Sequence, residues 1–368
     1  MLRTILAIGL GPFYSEAFLQ LNRQMRWIKC CGLAVFGCTL GPAAASGQGN
    51  TFELKLSDWL PASHPLQQSI EEWGVSIEHD SAGTITYKVY PAAQLGRAFD
   101  HYAMARDGVA DFALVSPGFQ RGRFPIFDAV NLPFMMSNAK AGSAALDNWY
   151  RKYAATEMPK IKYCFAFAQD PGTFHSRTRK IAVPSDLAGM KIRSADATMA
   201  SFVSQLGGED VPASRLLPEA LQQGIEQGIA DAVTLPWGSA VLLGVDKVAK
   251  FHMQAAVYTA GFVWVMNKDT YAAMSPAQQK VIDAHCNSGW AEKIAAPWAD
   301  FEHDGIARLQ AEPDQEIDPL TEEQRDEWKM TAAPLVQSWM LAVKTAVSDP
   351  DAVFKALKAE LAKSNSGE

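Results

Sequence analysis

The chain has 368 residues, 48% of them hydrophobic and 20% charged, with a formal net charge of −7. That is ordinary globular composition with enough material for two substantial lobes, and its acidity is a poor match to nucleic acid or anionic lipid. After the first fifty residues no apolar run reaches the roughly 18 residues that a membrane-spanning helix needs.

The N-terminal segment reads differently from the rest. MRWIKCCGLAVFGCTLGPAAASG opens at Met25 with Arg26 and Lys29, continues through an apolar run from Cys30 to Leu40, and ends in Ala43-Ala44-Ala45. A basic start, an apolar middle and small residues at the end make a secretory signal peptide. The expectation is a leader over residues 1–45, with translation starting at Met25. Its removal takes four basic residues and one acidic residue, so the formal charge of −7 becomes −10. Three of the five cysteines leave with it. Cys164 and Cys286 remain, either bonded to one another or each a small buried hydrophobe.

In chain order, FELKLSDWL reads as a strand, and the helix after it carries Leu66, Ile70, Trp73 and Ile77 at helical spacing. Ser63 is the expected N-cap, with Pro65 in the first turn. TITYKVY alternates as a strand, RAFDHYAMARDG is a short helix, and ADFALVS is another strand. The plan then repeats. Strand GMKIR leads to a helix over 198–206, an extended EDVPA, helix PEALQQGIEQG and strand IADAVTLP. DGVADFAL at 107–114 is answered by QGIADAVTL at 227–235, a glycine ending each helix and Ala-Asp opening each strand. Two such units predict an α/β architecture with mainly parallel sheets flanked by helices. Ligands collect beyond the carboxyl ends of such strands, where Asp58-Trp59 and Arg193 stand. Residues 275–311 predict one very long helix, capped by Ser275 with Gln278 and containing Pro297. A further helix starts at Thr321, and the terminal KSNSGE reads as disordered.

These segments together resemble the periplasmic solute-binding subunits of tripartite ATP-independent periplasmic (TRAP) transporters. The likeness rests on HPLQQSIEEW, ADFALVSPGFQRGRFPIFDAVNLPF, SDLAGMKIRSADATMASFVSQLGG, PEALQQGIEQGIADAV, VDKVAKFH and MNKDTYAAMSPAQQKVID, six pieces in the same order. It implies the two-lobed periplasmic binding protein fold. Lobe 1 would be 46–170 plus about 262–310, lobe 2 would be 171–261, and bracing C-terminal helices would span 311–362, ahead of a disordered 363–368. It further implies a monomer in the Gram-negative periplasm that closes on a small organic acid and delivers it to the small and large subunits of a sodium-driven permease.

In this family the arginine of the KIR motif grips the ligand carboxylate, which places that role on Arg193. A planar guanidinium matches a carboxylate in bidentate fashion. Trp59 and Trp237 are candidate walls for an apolar or aromatic body, and Phe119 lies at another strand end. Leu235 stands where dicarboxylate-binding relatives often carry asparagine, which favours a monocarboxylate, either aromatic or a 2-keto or 2-hydroxy acid. Gln169 and Thr173 are candidate partners of the carboxylate by the same likeness. Arg177 is a second anchor or a surface charge, and His64 caps either the site or its own helix. No glycine-rich phosphate loop, zinc motif or nucleophile elbow occurs, so neither cofactor nor metal is expected. The rival readings are a ligand sensor for a membrane receptor, and an exported lyase or hydrolase with His64 or Asp58 as base.

Overall fold

The computed structural model describes residues 50–368; the leader expected over 1–45 lies outside them. The strands are β1 (Phe52–Ser57), β2 (Ile85–Tyr90), β3 (Phe112–Val115), β4 (Lys162–Ala168), β5 (Thr173–Ser176) and β6 (Lys191–Arg193). β7 (Glu209–Asp210), β8 (Ala232–Leu235), β9 (Phe251–Gln254), β10 (Gly261–Met266) and β11 (Glu316–Pro319) follow. They form a five-stranded sheet ordered β2-β1-β3-β10-β4 and a six-stranded sheet ordered β11-β9-β5-β8-β6-β7, the cores of two α/β lobes. Both sheets are mixed. β1 is parallel to β2 and β3, while β10 runs antiparallel to β3 and β4. In the second sheet β6 is parallel to β7 and β8, and β5 is antiparallel to β8 and β9. The antiparallel strands β5 and β10 are those the chain enters on crossing from the other lobe.

The internal repeat has a common physical basis. Gly108 and Gly228 take φ of 74° and 72°, the left-handed conformation that ends a helix without a Cβ penalty. Ala110 and Ala230 are fully buried. Asp111 then accepts from the Lys55 amide at 2.8 Å, and Asp231 from the Lys191 amide at 2.9 Å. Each carboxylate so ties the third strand of its unit to the first.

Two of the crossings lie side by side. Gly172, between β4 and β5, bridges Tyr258, between β9 and β10, and its amide donates to the Tyr258 carbonyl at 2.8 Å. The third crossing is the helix Ser288–Ala311. A Cβ at Gly305 would lie 2.2 Å from the Gly238 nitrogen, so this helix touches the helix Trp237–Leu242 main chain to main chain. Glu302 fastens the same junction, accepting from the Ser239 amide at 2.7 Å, from the Ser239 hydroxyl, and from Trp298 Nε1 at 2.6 Å. Among the described residues no helix is long and apolar enough to cross a membrane.

Several expectations are corrected. The N-cap position of the helix Leu66–Asp80 is Pro65 and not Ser63, and just ahead of it the His64 Nδ1 accepts from the Leu66 amide at 3.2 Å. The long helix over 275–311 is two, Pro276–Ala284 and Ser288–Ala311. Asn287 caps the second by accepting from the Trp290 amide, and Cys286 in the break is bonded to Cys164 of β4. The second helix runs on through Pro297. The stretch 311–362 is not all helix, since β11 pairs in parallel with β9 and so belongs to the second sheet. The tail 363–368 is ordered, because its main chain finds partners: the Ser366 carbonyl accepts from the Ser137 amide at 2.9 Å and Gly367 bridges Met136.

Candidate functional site

A cavity of about 410 Å³ lies where the two sheets face each other. Its lining comes from the carboxyl ends of strands in both lobes, as the winding of such sheets predicts. After β1 come Trp59, Leu60 and His64, after β2 Ala92 and Ala93, and after β3 Ser116 and Phe119. The second lobe contributes Arg193 at the end of β6, Leu235 at the end of β8, and Ser239, Leu242 and Leu243 from the helix behind it. Gln169, Tyr258 and Phe262 enter from the crossing segments, and Trp298 from the long helix.

One wall is aromatic. Trp59 meets Phe119 at 5.5 Å and Phe262 at 6.2 Å, Phe262 meets Trp298 at 5.2 Å, and Trp298 meets His64 edge to face at 4.7 Å. The wall is held from behind by Asp58, which is fully buried and accepts from the Leu60 amide and from Gln67 Nε2, both at 2.7 Å. Burial pushes its carboxyl up to about 7. The facing wall, from Leu235, Leu242 and Leu243, is aliphatic.

Arg193 is 4% exposed. Its Nε donates to the Leu216 carbonyl at 3.2 Å and Nη1 to the Ser194 carbonyl at 3.3 Å. It makes no ion pair within 4 Å among the described residues. Burial pulls its pKa below the usual value, and Tyr258, Asp210, Asp196 and Glu219 offset this only in part. Beside it, Gln169 Nε2 reaches toward the Tyr258 hydroxyl at 3.5 Å. Burial raises that phenol far beyond its ordinary range, so it keeps its proton and remains a donor. This end of the cavity therefore offers one buried cation and the hydrogen-bonding groups of Gln169 and Tyr258, with the Glu219 side chain also on the lining.

Five of the residues singled out from the sequence, Arg193, Trp59, Phe119, Gln169 and His64, line this one cavity. Thr173, Trp237 and Arg177 do not. The Thr173 hydroxyl is fully buried and donates to the Met253 carbonyl at 2.6 Å, joining β5 to β9. Trp237 turns away from the cavity, packing edge to face on His175 at 5.2 Å and bordering a separate cavity of about 280 Å³. Arg177 sits on the surface 3.9 Å from Asp231. Tyr258, Phe262 and Trp298 were missed, because the segments at the crossings that carry them show no motif, and Ser239 was missed on the helix Trp237–Leu242. Gly172 is the one available signal, since a Cβ there would meet the Tyr258 ring at 2.4 Å.

Two lobes around a mainly apolar cavity with one buried cation define a two-lobed solute-binding protein. The chain belongs to the bacterial extracellular solute-binding protein family 7 (DctP), whose profile matches residues 56–342. It is similar in structure to a marine metagenome TRAP solute-binding protein specific for aromatic acid ligands, crystallised with 3-hydroxybenzoate. That likeness has 26% identity and a TM-score of 0.79 over 86% of this chain and 99% of that one. A TRAP solute-binding protein from Rhodoferax ferrireducens, with copurified benzoate, is 28% identical with a TM-score of 0.78 over 85% and 98%. The outer membrane transporter protein TsaT of Comamonas testosteroni is 26% identical over 258 residues, 68% of this chain and 74% of TsaT.

Proposed function

We propose that this protein captures a small aromatic monocarboxylate in the Gram-negative periplasm and delivers it unchanged, as a monomer, to the small and large subunits of a sodium-driven TRAP permease. The observation that carries this reading is the Arg193 guanidinium, buried without an ion pair within 4 Å in a cavity whose walls are mainly rings and aliphatic chains, with Glu219 the acidic residue on its lining. A carboxylate supplies the missing counter-charge, and a water-poor site strengthens the pair. Gln169 and Tyr258 flank the carboxylate. Trp59, Phe119 and Phe262 on one side and Leu235, Leu242 and Leu243 on the other sandwich a planar body. The single cation favours one carboxylate over two. The aromatic acids in the two similar structures support the class. The ligand bridges residues of both lobes, so binding and closure are coupled.

Calorimetric titration with benzoate and with benzamide, its neutral isostere, tests the reading. Benzoate binds at one site and is recovered unchanged, benzamide binds far more weakly, and Arg193→Ala loses benzoate. Equal affinity for acid and amide, or benzoate retained by the variant, refutes it.

A further inference from the structure

We propose that His64 is a specificity-determining donor that reads a hydrogen-bond-accepting oxygen on the ring of the aromatic acid, away from the end that Arg193 holds. This deepens the carboxylate reading and rests on it.

His64 is 3% exposed and lines the same cavity as Arg193. The Leu66 amide donates to its Nδ1 at 3.2 Å, which leaves the proton of the neutral ring on Nε2. Burial pulls its pKa down to about 3, so the ring is not a second cation and does not compete for the carboxylate. The Nε2–H has no acceptor among the described residues, so it is open to an acceptor on a ligand held in the cavity that His64 lines. The two polar groups have different aromatic neighbours in the wall. Arg193 shares a small side cavity of about 70 Å³ with Trp59 and Phe119. His64 lies three ring contacts beyond Trp59, through Phe262 at 6.2 Å, Trp298 at 5.2 Å and finally its own contact at 4.7 Å. A ligand lying along this wall with its carboxylate at Arg193 brings its ring substituents toward His64. A neutral N–H there favours a hydroxyl, methoxy or carbonyl oxygen over hydrogen or methyl.

Two substitutions separate the donor from the acceptor. His64→Asn places an amide oxygen near the Nδ1 position, keeping the acceptor for Leu66 and removing the donor. His64→Gln places an amide nitrogen near the Nε2 position, keeping the donor and removing that acceptor. Benzoate, the three hydroxybenzoates and the three methoxybenzoates are titrated into the purified parent and both variants, with melting curves for each. The parent binds at least one ring-oxygenated acid about 3- to 10-fold more tightly than benzoate, the worth of one neutral hydrogen bond. His64→Asn loses that preference, its ratio of oxygenated-acid to benzoate affinity falling to about one, and His64→Gln retains the preference at a lower melting temperature. If no oxygenated acid exceeds benzoate in the parent, the N–H is spent on the Trp298 ring and the proposal fails. It also fails if His64→Asn keeps the preference. If benzoate and all six analogues go unbound by a folded parent, both this proposal and the carboxylate reading fall.

Discussion

Replacing Arg193 with methionine, which keeps much of the side-chain volume, separates the demands of binding from those of folding. The guanidinium is 4% exposed and without an ion pair, with only two carbonyl contacts at 3.2 and 3.3 Å. Holding an unpaired ion out of water costs several kcal/mol, while two hydrogen bonds of that length return about 1–2 kcal/mol each. Without ligand, Arg193→Met therefore unfolds at the same urea concentration as the parent or a higher one, by up to about 3 kcal/mol. With benzoate at a hundred times its dissociation constant the parent gains about 2.7 kcal/mol and the variant gains nothing, so the difference between the two shifts by that amount in the parent's favour. Urea unfolding of both proteins, with and without benzoate, reads this directly. A ligand-free variant weaker by more than about 3 kcal/mol would mean that the arginine is a structural partner of its carbonyls. Equal stabilisation of both proteins by benzoate would place the anchor elsewhere.

Burial pushes Asp58, Glu157, Asp196 and Glu302 up to about 7 and Asp128 up to about 8. The folded protein holds protons there that the unfolded chain releases near its ordinary carboxyl values, so this stabilisation is complete only below about pH 4, is lost progressively above that, and is gone once the pH has passed the folded values of about 7 to 8. His64 and His175, pulled down to about 3 by burial, cost stability only below 6.5. Between pH 6.5 and 8.5 the urea midpoint therefore falls, by about 1 kcal/mol for each acid near 7, and a midpoint that rises over that interval refutes the assignment. Gly305→Ala puts a Cβ 2.2 Å from the Gly238 nitrogen and 2.4 Å from the Trp237 carbonyl carbon. Main chain cannot yield as a side chain can, so the melting temperature drops by the equivalent of about 3 kcal/mol or more. Gly289→Ala in the same helix, with its nearest neighbour at 3.2 Å, serves as a control that stays near the parent. Replacing Cys164 and Cys286 together by serine opens a loop with a sequence separation of 122 and lowers unfolding free energy by up to about 5 kcal/mol; an unchanged midpoint would refute a stabilising bridge.

What was legible in the sequence follows the range of the forces involved. The repeat at 107–114 and 227–235 is visible because its constraints are local: a glycine that must turn left-handed, an alanine with no room beside it, and an aspartate bonded to the amide of the neighbouring strand. Arg193 was legible for a related reason, because the end of a strand in a parallel unit has a known position whatever the rest of the fold does. Trp237 marks where this reasoning stops. It lies two residues beyond Leu235, which does line the cavity, but Pro236 intervenes and a helix starts at Trp237, turning its ring onto His175. Chain proximity to a site says nothing about direction once strand has given way to helix. Tyr258, Phe262 and Trp298 reach the cavity from segments separated in sequence and brought together by the crossings, so no periodicity in any one segment records them. The terminal KSNSGE was misjudged for the same reason: its polarity is that of a flexible tail, while its order depends on main-chain partners in the loop at 135–137. The proposed anchor of the ligand is thus written in local sequence, whereas much of the cavity's shape is assembled from the crossings, and on the proposed reading substitutions that retune specificity belong there and at His64 rather than at Arg193.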